Sequence, residues 1–279
     1  MIDTLNTFRA NALAKGIPPE DVERWTATAR PCAILDRRGD GPVVGRLGGP
    51  LLLPPDVPDP WCKLAATLDL AALPAGVTNL DLPTDGRLLL FADPDPDRIG
   101  EGNLGTALHI PAGTPVEERH LDLDPEWRNY SYETEFPEGL LHLRSDVSLP
   151  WHTSVRAPGH PFSCRTLPDH PRADELLDVW EELPGSDFSL GIQLGGYAED
   201  EDRLEDPSVA AGREASQAEA RGELPRSEAD VRPEDWVCLA QWQHGIDGLE
   251  MALYSWSIAR QDLAVGRFDR VYATMTWNP

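Results

Sequence analysis

The sequence predicts an α+β fold: a β-rich body of two pseudo-repeated, sheet-containing halves behind an N-terminal helical lead-in. Three observations carry this. Leu47-Gly48-Gly49 recurs as Leu194-Gly195-Gly196. Each copy is followed by two strand-like apolar runs, LAATLDL and GRLLLFAD after the first, VCLAQWQ and LEMALYSWSI after the second. Apolar residues at helical spacing gather in the first thirty residues. The organisation expected is one domain over 1–279: helices in 1–30, a first half in 31–150, and a second half in 151–279 with an acidic insertion at 198–234.

In the lead-in, Leu5, Phe8, Ala12 and Leu13 share a helical face, Asp3 or Thr4 caps the start, and Gly16 stops the helix. Pro18 and Pro19 open a second helix with Glu20 and Asp21 in its favourable first turn. It runs through Val22 and Trp25 toward Ala29, and Pro31 ends it.

Cys32 to Leu35 reads as a short strand, followed by a charged, glycine-bearing turn from Asp36 to Gly41. After the first LGG, Pro50, Pro54, Pro55, Pro58 and Pro60 forbid a central strand, so this stretch crosses a surface or edge in extended form. Leu64 to Leu70 is a strand with a helical turn behind it, and Arg87 to Phe91 a strand covered on both faces. Asp93-Pro94-Asp95-Pro96-Asp97 is an acidic turn lacking the glycine and distal glutamate of a calcium loop.

Further strands fall at Leu104–Ile110, Glu118–Leu123 and Leu140–Leu149. Trp127, Tyr130, Tyr132 and Phe136 concentrate aromatic area in a polar loop and either cover a core edge or line a site. Residues 151–171 are proline-rich and read as irregular; Ala173–Leu183 is an amphipathic helix. Strands at Val237–Trp242, Leu249–Ile258 and Arg270–Trp277 close the chain, with one helical turn at Asp262–Val265.

The insertion at 198–234 is dense in Glu, Asp, Ala and Arg and poor in large apolar residues. It reads as an acidic surface excursion with a short helix near Ser208–Ala220. It is either a solvated loop or a docking surface for a basic protein partner.

The formal net charge of -24 disfavours a nucleic-acid or anionic membrane partner. The opening residues carry no apolar core of a secretory signal, and no apolar run approaches the length of a membrane span. A cytoplasmic location follows as the expectation. Cys32, Cys62, Cys164 and Cys238 form no C-x-x-C pair and read as reduced, mostly buried thiols.

The order of these units (a glycine pair, a proline-rich crossing, a strand akin to L-A-Q-I-D-L, then G-x-L-x-F-F, and a second L-G-G before the last strands) resembles the YwqG-like family. That is a group of bacterial proteins of unassigned function. The likeness runs from about Arg30 to the end. Thr67 stands where the strand glutamine would be, Gln241 keeps it in the second copy, and the family's W-G-D-x-G shortens to Gly245-Ile246-Asp247-Gly248. The resemblance implies two similar sheet-containing lobes and a link to toxin–immunity loci. It supplies no catalytic residues.

Two constellations carry candidate chemistry. His152, His160, Cys164 and His170, spaced H-x7-H-x3-C-x5-H, offer the N and S ligands zinc takes, though the spacing matches no common zinc module. Cys164 beside histidines, or Cys62 beside Lys63, offers a thiol nucleophile without an orienting third group. Gln193, Gln241, Trp242, Gln243 and Asp247 flank the repeated motifs; they either line a ligand cleft between the halves or satisfy loop backbone. Walker, H-E-x-x-H, G-x-S-x-G and G-x-G-x-x-G patterns are lacking, and no cofactor is expected.

The function expected is that of a bacterial cytoplasmic binding protein without catalysis, a protein-interaction module with immunity as one form of it. The alternatives are a metal- or cysteine-dependent hydrolase using 152–170, and a small-ligand binder in the cleft between the halves.

Overall fold

Two helices open the chain, where capping and apolar spacing place them. A computed structural model describes residues 2–121, 135–157, 163–183, 191–199 and 202–277. α1 (Ile2–Ala14) stops at Gly16, whose φ of +80° is the left-handed turn glycine permits. α2 (Pro19–Thr26) starts on Pro19, carries Glu20 and Asp21 in its first turn and buries Val22 and Trp25. The chain leaves this helix earlier than Pro31. That proline instead lies inside β1 (Arg30–Asp36), facing Val147.

The first run of strands is β2 (Val43–Leu47), β3 (Leu51–Leu53), β4 (Lys63–Asp69), β5 (Arg87–Ala92), β6 (Gly105–Ile110) and β7 (Glu117–Arg119). As the prolines require, β3 stays out of the main sheet and pairs with β7 in a small ribbon. Leu70–Ala72 is one 3-10 turn, begun by the Asp69 side chain accepting from Ala71 N at 3.1 Å. The acidic turn after β5 is held by local contacts. Asp95 accepts from Asp97 N at 3.0 Å, and Asp93 is ion-paired with Arg98.

Then come β8 (Gly139–Ser148), β9 (Ser154–Arg156), β10 (Cys164–Thr166), α3 (Ala173–Glu181), β11 (Gly191–Gly195), α4 (Pro207–Arg221), β12 (Trp236–Gln243), β13 (Leu253–Ala259), α5 (Arg260–Ala264) and β14 (Tyr272–Thr276). The stretch 151–171, expected to be irregular, contains the β9–β10 hairpin, because backbone pairing there needs no apolar alternation. Strand β13 begins at Leu253, four residues later than expected, since Gly248 and Met251 turn the chain at positive φ. Of the clustered aromatics, Trp127, Tyr130 and Tyr132 lie outside the described residues.

Ten strands form one antiparallel sheet in the order β14-β13-β12-β11-β1-β8-β2-β4-β5-β6. Its two ends nearly meet. Leu104 N donates to Ala273 O at 3.0 Å, Ala273 N donates to Asn103 Oδ1 at 2.8 Å, and the Tyr254 hydroxyl donates to Leu104 O. Closure shelters both edges from further pairing. The interior is one apolar cluster in which Ala33, Leu35, Leu47, Leu68, Leu90, Leu194, Trp242 and Trp256 are essentially fully buried. Each such large side chain contributes about 1.5–3 kcal/mol by leaving water. Phe136 packs edge-on against Trp242 at 5.5 Å, so it covers the core.

The two LGG segments take the same backbone course. Gly48 and Gly49 have φ of +57° and +91°, and Gly195 and Gly196 have +72° and +77°. Leu47 lies opposite Ala66 and Leu194 opposite Ala240. The following hairpins carry matching register shifts, between Leu64 and Ala66 and between Cys238 and Ala240.

Three apolar layers coat the barrel, the first of them Leu51, Leu53, Leu89, Phe91 and Ile110 beneath the β3–β7 ribbon. Phe8, Trp25, Trp151, Leu177 and Trp180 join α1, α2 and α3 to the end of β8. Ala211, Ala215 and Ala218 seat α4 on Trp236, Ala259 and Tyr272. Residues 207–221 of the expected acidic excursion are therefore seated on the barrel. Small residues rather than large ones give α4 its buried face, which is why a search for large apolar residues misses it. No helix among the described residues is long and apolar enough to cross a membrane.

Candidate functional site

Antiparallel neighbours start and end together, so one end of the barrel gathers residues that are far apart in sequence. Arg30 and Trp236 open β1 and β12 there, while Pro150 follows β8, Tyr197 follows β11 and Arg260 follows β13. These five strands are adjacent in the sheet. The β9 strand, residues 167–170 and the first turns of α4 cover this end and leave a cavity of about 380 Å³. That volume lies within the usual range for small-molecule sites.

The acids and bases of the wall are unevenly matched. Glu205 accepts from Arg156 Nη2 at 2.7 Å and is also ion-paired with Arg213. Burial alone would raise its carboxyl; the hydrogen bonds from Arg213 and Arg156 outweigh that and hold it below its ordinary value. Asp206 caps α4, its Oδ1 accepting from Ser208 N at 2.9 Å. Arg30 and Arg260 have no ion-pair partner among the described residues. The Arg30 guanidinium instead lies 3.7 Å from the centre of the Tyr197 ring. The Tyr197 hydroxyl donates to Thr28 O at 3.0 Å. Desolvation and then the neighbouring Arg30 charge lower Arg260 from its ordinary value.

His152 is buried on this wall, 6.1 Å from Tyr197 between ring centres. Its Nδ1 has no hydrogen-bond partner among the described residues. Burial lowers its pKa, and Arg30 and His170 push the same way while Asp206 and Glu205 oppose. The ring is neutral at pH 7, able to accept a proton or a hydrogen bond from a ligand.

The four expected metal ligands do not all meet. His152 and His170 line the same cavity. Cys164 is exposed on β10 opposite Arg156. His160 lies outside the described residues. Among the described residues no group of three His, Cys, Asp or Glu side chains is arranged to hold a metal ion. The expected activation of Cys62 by Lys63 is reversed. Cys62 is buried, and burial followed by the Asp93 charge pushes its thiol well above the ordinary value.

The five expected cleft residues sit elsewhere. Gln193 is buried and donates to Gly195 O at 3.0 Å and Tyr197 O at 2.7 Å. Gln241 faces it across β11–β12, donates to Glu199 O at 2.8 Å and Ser255 Oγ at 2.9 Å, and accepts from Glu199 N at 2.9 Å. Both glutamines thus serve loop backbone. Trp242 is core, Gln243 is half-buried and Asp247 is exposed. None of the five lines the 380 Å³ cavity.

Arg30, Tyr197 and Arg260 are the cavity residues that sequence reasoning passed over. Each stands at or within two residues of a strand end, which is a position but not a motif. Comparison with protein-family models finds no match to this chain, and comparison with curated proteins finds none.

Proposed function

We propose that this is a binding protein whose small ligand occupies the cavity at the end of the barrel. The observation that carries this is the wall itself: Arg30, His152, Tyr197, Asp206, Trp236 and Arg260 converge there from distant parts of the chain. Two of these, Arg30 and Arg260, are charged and unpaired among the described residues. Ligand sites set a few convergent polar groups around a concave wall, and two guanidiniums left open on this one favour a ligand. The site differs from the cleft expected between the halves.

The same proposal includes the internal duplication and the YwqG-like affiliation. The strand order supports duplication, because it keeps its pattern when β1, β2, β4, β5 and β6 are exchanged for β8, β11, β12, β13 and β14. The matched glycine pairs and register shifts support it further. A cytoplasmic setting fits free thiols at all four cysteines. No observation in the fold favours a basic protein partner on α4, whose alanine face is already used by the barrel.

The test is a thermal-shift screen of small molecules against the intact chain and against Val209→Phe, which fills the cavity from α4. Ligands that raise the melting temperature of the first and not the second support the reading. Ligands that stabilise both equally would place binding elsewhere.

A further inference from the structure

We infer that the ligand of this cavity is an anion bearing a carboxylate or phosphoryl group, held by Arg30 and Arg260 with the His152 imidazole as a further polar contact. The inference rests on the reading of the cavity as a ligand site.

Charge balance is the first argument. The chain carries 48 acidic residues against 24 Lys and Arg. On the same wall Arg156 and Arg213 both find a carboxylate, that of Glu205. Arg30 and Arg260 share one cavity wall and do not, although Asp206 and the exposed Glu234 line the same cavity. Asp206 is committed to the α4 cap, and Glu205 is already shared by two arginines. Two like charges held close together gain most from a counter-charge placed beside both.

Pre-organisation is the second argument. The Arg30 guanidinium carbon sits over the Tyr197 ring, a cation–π contact that holds the side chain without occupying a hydrogen-bond acceptor. Arg30 donates no hydrogen bond within the described chain, so its fork stays free for a planar or tetrahedral oxyanion. The Tyr197 ring is itself fastened through its hydroxyl to Thr28 O. His152 adds polarity without charge, and its ring makes no hydrogen bond among the described residues.

Titration calorimetry on the intact chain tests this with four probes: inorganic phosphate, succinate, choline and a neutral polyol. One molecule of phosphate or succinate per chain is expected, and which of the two binds distinguishes phosphoryl from carboxylate ligands. Arg260 is exposed and unpaired, so Arg260→Gln keeps the melting temperature of the free protein. It weakens anion binding roughly ten- to a hundred-fold, the loss of one charge-assisted contact. Anion binding that Arg260→Gln leaves unchanged overturns the inference. Binding of choline or the polyol alone, lost in Val209→Phe, overturns the anion assignment and leaves the cavity reading standing. Binding of none of the four overturns the anion assignment, and a blank thermal-shift screen alongside it overturns the cavity reading as well.

Discussion

Arg30 stacks on Tyr197 with its guanidinium carbon 3.7 Å from the ring centre, at the end of the barrel where β1 begins and β11 has ended. The pair joins residues 167 positions apart in sequence, and the Arg30 guanidinium has no hydrogen-bond partner among the described residues. The proposed ligand site rests on this contact more than on any other.

Tyr197 therefore separates stability from binding. Tyr197→Phe keeps the ring under Arg30 and loses only the bond to Thr28 O, at a cost of about 1 kcal/mol. Tyr197→Leu also releases the guanidinium. Anion affinity is expected to hold in the first and fall several-fold in the second, measured by calorimetry beside urea melts of each variant.

His244 sets a pH dependence of stability. It is buried, its Nδ1 accepts from Ile246 N at 3.1 Å, and burial lowers its pKa to about 4. The unfolded chain takes up the proton near the ordinary 6.5 while the folded chain resists it. Stability from this group is thus complete above about pH 6.5 and is lost as pH falls toward 4. The full difference is of the order of 3 kcal/mol. His244→Asn keeps an acceptor for Ile246 N and cannot titrate. Its urea midpoint is expected to fall less than that of the parent between pH 7 and pH 4.5, and equal falls would contradict this account of His244.

Gly212 tests whether residues 198–234 are structural. A Cβ there would stand 2.6 Å from Trp236 Cδ1 and 3.0 Å from the Pro233 backbone. Helix propensity favours Gly212→Ala by about 1 kcal/mol, and overpacking against the indole opposes it by about 1–3 kcal/mol. Net destabilisation is expected in urea melts. A stabilised variant would mean that α4 is not seated on Trp236.

The glycine pairs offer a matched comparison. Gly48→Ala meets only the flexible Glu138 side chain, so left-handed strain of about 1 kcal/mol should dominate. Gly195→Ala meets Asn79 Oδ1 at 2.9 Å, the atom that accepts from Gly196 N at 2.7 Å. Strain plus a disturbed, partly buried hydrogen bond raises its cost to about 2–3 kcal/mol. Both should unfold at lower urea than the parent, Gly195→Ala at the lower of the two.

These residues also show what the sequence made legible. The LGG segments, the proline-bearing crossing and most barrel strands announced themselves, because each depends on local backbone rules or on an unbroken apolar run. The helix α4 was foreseen but its burial was not, since alanine buries little area per residue and looks like surface. The β9–β10 hairpin is not legible because its strands are three residues each, too short for an alternating apolar pattern. Among site residues, His152 and His170, metal-ligand candidates by residue type, do line the cavity. Arg30, Tyr197 and Arg260 were missed because only the antiparallel order of five strands brings them together. Gln193 and Gln241 were ambiguous from sequence, a polar residue in a strand being equally consistent with ligand or backbone. Their carboxamides serve loop backbone.

The most direct test of the account is a pair of crystal structures of the intact protein, one soaked with inorganic phosphate and one with succinate. The account predicts an ordered anion in the cavity of at least one of them, within hydrogen-bonding distance of the Arg30 and Arg260 guanidiniums. A cavity empty of both anions at saturation, or Arg30 and Arg260 each paired with a carboxylate of the chain, would contradict it.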